Sequence, residues 1–318
     1  MRPYQLMCLV CRIGSGCETD LRDPALTAVL KEMRENPIVP ITLRCNVDST
    51  YRYQNPGRGA DTPGGELFND KRDLDILQRL GLVPGATRPA LDLLERLLEA
   101  IPATKGICGY PESASGVWKG CPEARHGHYE KGRTKGVAAI ISPRKPKEMA
   151  IAKKKSAAAM YRSDRLRIRP HHLMCMACFH AGRKEMTPIA EDNLFEAVDI
   201  IQKNPDIPVE LVAGCCMICP PCPHYHPASN LCIGGKSMSL RDQKKDLDVL
   251  QKTGLRYGDI LPARQIYRLL FDRIHSTTEV CGYGDGIERT PEWRVCGEKE
   301  GKTAYLKARA KKLGIKGL

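Results

Sequence analysis

The sequence reads as two copies of one pattern, and that constrains the fold more than any other feature of the chain. RPYQLMCLVC at 2–11 is matched by RPHHLMCMAC at 169–178, and NPIVP at 36–40 by NPDIP at 204–208. DLDILQRLGL at 73–82 is matched by DLDVLQKTGL at 246–255, ICGY at 107–110 by VCGY at 280–283, and VWKGC at 117–121 by EWRVC at 292–296. The offset between partners drifts only from 167 to 175, so the matches are collinear and chance is a poor explanation for them. The expected organisation is an N-terminal repeat over 1–132, a Lys/Ala-rich linker over 133–165, either partly helical or disordered, a C-terminal repeat over 166–300 and a basic tail over 301–318.

Both halves predict the same order of elements. An extended R-P-x-x-L-M-C segment comes first. An amphipathic helix follows over 25–35 (Leu26, Val29, Leu30, Met33) or 191–203 (Leu194, Ala197, Val198, Ile201), then a short strand over 39–44 or 208–214. After a loop that differs between the halves comes a helix over 70–80 or 242–253, stopped by Gly81 or Gly254. A last helix over 89–101 or 262–275 carries the stripe Leu91, Leu94, Leu98 and Ile101 in the first copy. The fold class expected is α/β or α+β: two homologous β-α-β modules with added helices.

The net charge of +13 is concentrated outside the repeats. Residues 131–169 hold thirteen Lys/Arg against Glu148 and Asp164, and residues 301–318 hold six Lys/Arg and no acid. That places the excess on a linker and a tail, which suits solubility or a tether; contact of 131–169 with nucleic acid or an acidic partner is the sharper alternative. No apolar run approaches the ~20 residues that span a bilayer, and the N-terminus lacks a small-residue cleavage site, so a cytoplasmic, non-membrane protein is expected.

In such a compartment fifteen cysteines point to metal or redox chemistry rather than disulfides. The repeat sorts them. Five pairs are shared: Cys8/Cys175, Cys11/Cys178, Cys45/Cys215, Cys108/Cys281 and Cys121/Cys296. Cys216, Cys219, Cys222 and Cys232 are extra in the second half and Cys17 in the first. GCCMICPPCPHYHPASNLC at 214–232 offers Cys215-x3-Cys219-x2-Cys222-x9-Cys232 on a proline-rich loop behind a strand. Four thiolates so placed suit an iron–sulfur cluster, and two of them carry the Cys-Pro pair that also ends ferredoxin cysteine runs. A structural zinc is the alternative, although four-thiolate zinc sites usually use two CxxC knuckles and this loop has one. The N-terminal loop, CNVDSTYRYQNPGRGADTPGG, keeps only Cys45. Its glycines lack the lysine and Ser/Thr of a phosphate-binding loop.

A second grouping joins the two ends of each half: Cys175, Cys178, Cys281 and Cys296, with the copy Cys8, Cys11, Cys108 and Cys121. Burial as small apolar residues is the competing explanation. His171 and His172, where the first half has Tyr4 and Gln5, are candidates for ligation or proton transfer, or for a structural hydrogen bond. His224 and His226 are spare ligands in the loop, and His126 and His128 are expected at the surface.

RPHHLMC, through Cys175, followed by Cys215, Cys219, Cys222 and Cys232, resembles a small family of uncharacterised bacterial and archaeal proteins. These begin R-P-H-H-L-L-C and carry a later C-x3-C-x2-C…C group. The resemblance covers about residues 166–255 and implies iron–sulfur binding, without implying a reaction. The first half departs from it at Tyr4 and Gln5 and by three missing loop cysteines.

The reading that follows is an iron–sulfur protein, with a cluster of the four-iron type on the second-half loop. Its role would be electron transfer to a redox partner, redox sensing, or service within a reductase. A zinc-stabilised module with a nucleic-acid-binding linker is the alternative. A thiol enzyme using Cys175 with His171 or His172 is a third reading, and whether the protein is an enzyme at all stays open.

Overall fold

The computed structural model describes residues 1–57, 65–112, 115–233, 239–296 and 299–318; part of the first-half loop, 58–64, where the degenerate counterpart of the cysteine loop was expected, lies outside the described residues. The chain divides into two compact units, Met1–Pro143 and Arg144–Leu318. Both mix helices with small sheets, in keeping with the α/β or α+β expectation.

In the first unit the order is α1 (Pro3–Gly14), α2 (Pro24–Glu35), β1 (Pro40–Thr42), α3 (Glu66–Leu80), β2 (Thr87–Pro89), α4 (Ala90–Ala100) and α5 (His128–Lys135). β1 and β2 pair antiparallel. Met1 adds to the open side of β1: its ammonium donates to the Thr42 carbonyl at 2.8 Å and its carbonyl accepts from Arg44 N at 3.0 Å. Leu26, Leu30 and Met33 of α2 are buried as their spacing predicts, and Asp23 caps that helix by accepting from the Ala25 and Leu26 amides at 3.0 Å.

The second unit runs α6 (Pro146–Tyr161), β3 (Leu166–Ile168), α7 (Pro170–Gly182), α8 (Leu194–Lys203), β4 (Pro208–Leu211), β5 (Tyr225–His226), β6 (Leu231–Cys232), α9 (Leu240–Thr253), β7 (Ile260–Pro262), α10 (Ala263–Arg273) and α11 (Lys299–Ala310). β3 and β4 are parallel, joined by α7 and α8, and β7 closes the sheet antiparallel to β4. Parallel neighbours need a long crossover, which two helices provide here. Gly81 and Gly254 stop α3 and α9 in the left-handed conformation, at φ +65° and +73°.

Two expectations are corrected. The R-P-x-x-L-M-C segments are helical, not extended: Arg2 and Arg169 are in the extended N-cap conformation, and Pro3 and Pro170 are the first helical residues. A proline's fixed φ suits either state, and its missing amide costs nothing at that position. The consequence is chemical, because in a helix the two cysteines of each C-x2-C lie on one face. The basic tail is part of the second core. Tyr305, Ala308, Leu313 and Ile315 are buried, the Tyr305 hydroxyl donates to the Ile274 carbonyl at 3.0 Å, and Arg309 Nε donates to the Phe271 carbonyl at 2.7 Å. In the first unit Tyr129 does the same to Ile101 at 2.8 Å and Arg133 to Leu98 at 2.8 Å. The linker, expected to be partly helical or disordered, is helical over Pro146–Tyr161. Its first residues belong to α5, and Lys153 of α6 meets Glu196 at 2.6 Å inside the second unit. A Cβ on Gly132 would stand 2.1 Å from the Val10 carbonyl oxygen, and one on Gly14 1.7 Å from that of His128, so α1 and α5 touch backbone to backbone.

Each unit is tied by a buried Arg–Asp pair. Asp246 of α9 accepts from Arg169 Nε and Nη2 at 3.0 and 2.7 Å, and from the His171 amide at 3.0 Å. Asp73 of α3 accepts from Arg2 Nε at 2.7 Å and the Tyr4 amide at 2.8 Å. Each carboxylate therefore pairs with a guanidinium and satisfies one free amide of a helix N-terminus. Asp246→Ala strands Arg169 as a buried charge and uncaps α7. Denaturant unfolding of that variant is expected to show a loss of about 3–5 kcal/mol.

The two carboxyls titrate in opposite directions. Burial pushes Asp73 up, to about 6, over the opposing pull of Arg2. Asp246 is equally buried, but the His171 hydrogen bond and Arg169 outweigh burial and hold it below the usual range. A raised carboxyl favours folding below the unfolded pKa of about 3.9, and that contribution is lost as pH rises through the folded value. Unfolding measured between pH ~4 and ~6 should show a decline from Asp73 of about 2–3 kcal/mol, and Asp73→Asn should flatten it.

Candidate metal centres

The cysteine loop leaves β4 through Gly214, at φ +75°, and then turns repeatedly on itself. The Cys219 amide donates to the Cys216 carbonyl at 3.0 Å, Cys222 to Cys219 at 2.8 Å, and Tyr225 to Cys222 at 3.0 Å. The β5–β6 hairpin then folds back, pairing Tyr225 with Cys232. That explains the long final spacing, since the nine residues after Cys222 make a hairpin that returns the fourth thiol to the first three. Cys215, Cys219, Cys222 and Cys232 all line one cavity of about 290 Å³, together with His172. Arg144, from the expected linker, donates to the Pro220 and Cys222 carbonyls at 2.6 and 2.8 Å and braces the loop from outside.

The thiols are electrically uneven. Cys219 is held well below the usual thiol range because the Cys215 thiol, and next the Cys216 thiol, hydrogen-bond to it. Cys215 is pushed up by the same bond, and Cys216 by burial. Burial raises Cys222 to about 11. One thiolate shared among donors is what a packed thiol cluster supports without a metal; binding a cation displaces the remaining protons.

The two histidines part company. His172 Nδ1 is 3.1 Å from Cys216 Sγ, which is 4.0 Å from Cys219 Sγ, and burial lowers His172 to about 4, leaving it a neutral imidazole. His171 turns away: its Nδ1 meets Asp246 Oδ1 at 2.7 Å, the structural role weighed for it. Cys216, passed over by the spacing argument, is therefore next to the site. The adjacent pair Cys215-Cys216 was the only sign of it in the sequence.

The second grouping also assembles. Cys175 and Cys178 lie one turn apart on α7, the Cys296 amide donates to the Cys281 carbonyl at 2.8 Å, and Cys175 feels the charge of Cys296 and Cys281 that of Cys175, which puts the late pair beside the helical pair. The Cys281 thiol hydrogen-bonds to Cys296 and lowers it to about 5, with Lys245 and Arg241 assisting. Cys175 and Cys178 are raised, by burial first and then by Cys296, Cys178 to about 12. In the first unit the Cys121 amide donates to the Cys108 carbonyl at 2.7 Å, and Cys8, Cys11, Cys108 and Cys121 all line a cavity of about 510 Å³. Burial leads in raising Cys8 to about 11 and Cys11 and Cys108 to about 12. Each group sits beside a buried cation that sequence reasoning missed, Arg72 in the first unit and Lys245 in the second. Both directly precede the D-L-D repeat as the second residue of a basic pair, Lys71-Arg72 or Lys244-Lys245, a shared feature that sequence reasoning left unused.

Among the described residues, two sets of three put their ligand atoms within 4.8 Å of one another: His172, Cys216 and Cys219, and Cys11, Glu123 and His128. The second joins residues expected to be unrelated. His128, expected at the surface, is only partly exposed and lies 3.1 Å from Glu123, while His126 is largely exposed. His224 lines the loop cavity, whereas His226 bonds Ser229 at 2.8 Å.

Residues 191–285 match the profile of a family described as a protein of unknown function, DUF1284. The matched stretch holds the whole cysteine loop and Cys281; it begins after R-P-H-H-L-M-C and runs past 255, where the sequence resemblance was expected to end. No curated protein and no solved structure matches the chain. Among the described residues, no helix is long and apolar enough to cross a membrane.

The paired thiols make a direct prediction for the metal-free protein. Cys296 is exposed and its pKa is lowered, whereas Cys281 is buried, Cys175 and Cys178 are less exposed than Cys296, and all three are raised. Limited alkylation at about pH 6.5 should label Cys296 first within its group, and Cys281→Ala should move that reactivity up toward the ordinary thiol range, read by peptide mass spectrometry.

Proposed function

We propose that this is an iron–sulfur redox protein built from two homologous modules, with a four-iron cluster held by Cys215, Cys219, Cys222 and Cys232. The supporting observation is that these four cysteines line a single cavity of about 290 Å³ and are not among the sets whose ligand atoms all lie within 4.8 Å of one another. A lone zinc with four thiolates at ~2.3 Å needs every sulfur within ~3.8 Å of the others. A cuboidal cluster is larger and needs its thiolates spread around a hollow. The protein's own groups suit such an occupant, because Cys215 and Cys219 are buried, Cys222 and Cys232 are partly buried, and hydrogen bonds from neighbouring thiols hold Cys219 below the usual thiol range.

A bound cluster supplies one-electron transfer at a potential set by charge, hydrogen bonds to sulfur and exposure. The residues on hand tune those terms. Arg144 immobilises the loop carbonyls, Arg169 brings positive charge to the cavity wall, and His172 presents an uncharged imidazole to Cys216. Electron transfer to a protein partner, or sensing of redox state, follows as the role. Cys175, Cys178, Cys281 and Cys296 would form a second metal or redox position in the same unit. Shared ancestry of the units is supported by the recurring Arg–Asp ties and by the Tyr129 and Tyr305 bonds to Ile101 and Ile274.

Zinc at His172, Cys216 and Cys219 is the second reading, favoured by their closer convergence. A nucleic-acid role for 131–169 is weaker, since Arg133, Lys135, Arg144, Lys153 and Arg169 are all bonded within their own units. Anaerobic purification separates the readings. The cluster predicts brown protein with iron and acid-labile sulfide, lost in Cys222→Ala and kept in Cys216→Ala. Colourless protein with stoichiometric zinc, lost in Cys216→Ala and kept in Cys222→Ala, would establish the alternative.

A further inference from the structure

We propose that the first unit carries a mononuclear zinc-type site of mixed donors, Cys11 Sγ, a Glu123 carboxylate oxygen and a His128 imidazole nitrogen, with a coordination position open to the adjoining cavity. The site does not depend on the cluster proposed for the other unit. Its ligand atoms lie within 4.8 Å of one another, and His128 Nδ1 is 3.1 Å from Glu123 Oε2. Two donors each ~2.0–2.1 Å from a tetrahedral zinc stand ~3.3 Å apart, so an ion enters with only small side-chain adjustments.

The donor set balances charge. A thiolate and a carboxylate supply two negative charges against Zn²⁺, and the imidazole binds neutral. A hard oxygen, a borderline nitrogen and a soft sulfur together suit zinc better than calcium or magnesium, which favour oxygen alone.

The backbone holds the ligands in place. Cys11 is on α1, and His128 is the first residue of α5, reached through Gly127 at φ +66°. Gly14, one turn beyond Cys11, lies so close to the His128 carbonyl that a Cβ would overlap it at 1.7 Å. The distance from Cys11 to His128 is therefore set by a helix–helix contact with no slack. Glu123 lies between, in the short turn Pro122–Arg125, five residues before His128.

Three protein ligands are the pattern of zinc sites that keep an exchangeable position. Cys11 and Glu123 both line the 510 Å³ cavity, which also receives the Arg72 side chain, held 3.8 Å over the Tyr4 ring. An ion at this site thus faces a pocket containing a fixed cation, an arrangement suited to a small anionic ligand.

The mixed set competes with the four thiols Cys8, Cys11, Cys108 and Cys121, and titration of the full-length metal-free protein distinguishes them. Zinc bound per chain and the sulfur-to-metal absorption of cobalt(II) are measured for wild type and variants, with circular dichroism to check folding. His128→Ala and Glu123→Gln are each expected to lose one equivalent of tight zinc, an effect larger than the ~10–100-fold weakening that follows loss of an outer-shell partner. His128→Cys should restore it with added thiolate absorption. Cys108→Ala and His126→Ala should leave the stoichiometry unchanged. Loss of an equivalent in Cys108→Ala but not in His128→Ala would transfer the site to the four thiols and overturn the proposal, as would wild-type stoichiometry in both His128→Ala and Glu123→Gln.

Discussion

A carboxylate buried beside an arginine organises each unit. Asp246 meets Arg169 and an amide at the start of α7, and Asp73 does the same for Arg2 and α1. Removing two charges from water is costly, and their attraction offsets that cost only when the remaining hydrogen-bonding positions are filled. The helix amides fill them here, which is enough at Asp246, while at Asp73 burial still outweighs the attraction. The pair thus does more than join two helices: it sets where the C-x2-C helix begins, and with it the direction in which two thiols point. In the second unit the same carboxylate also receives His171, which explains why adjacent histidines have different roles. One completes the structural pair, and the other is left facing sulfur.

The thiol groups then follow from closure of each unit. The C-x2-C comes from the first helix and the other two cysteines from near the end, joined by a single backbone hydrogen bond, Cys121 to Cys108 or Cys296 to Cys281. The last helix seals this arrangement by packing on the first, through Gly14 and Gly132 in one unit and through Gly182 facing Ala304 in the other. Burial raises most of the thiols, while the S–H groups of Cys215 and Cys216 lower Cys219 and that of Cys281 lowers Cys296. Such a set is poised between holding protons and holding cations, and its charge is tempered by Arg72 or Lys245.

Much of this was legible in the residues themselves. The stripe Leu26, Leu30, Met33, the stop at Gly254 and the strand after NPDIP are local features, and local periodicity and glycine geometry report them well. The R-P start was misread because proline's φ serves a strand and a helix N-terminus equally. Residues 301–318 were misread because charge dominates their composition while Tyr305 and Ala308 face inward, and a short helix with small apolar residues has a faint signature.

The candidate metal-binding cysteines were written in the chain at repeated spacings, since such chemistry calls for sulfur and spacing survives without knowledge of the fold. Which of them meet was a different matter. Convergence of Cys8 with Cys121, approach of Cys216 to His172, and the placement of Glu123 and His128 beside Cys11 depend on contacts between residues far apart in sequence. Those positions are set by helix packing and buried charge pairing, which no local pattern of residues encodes.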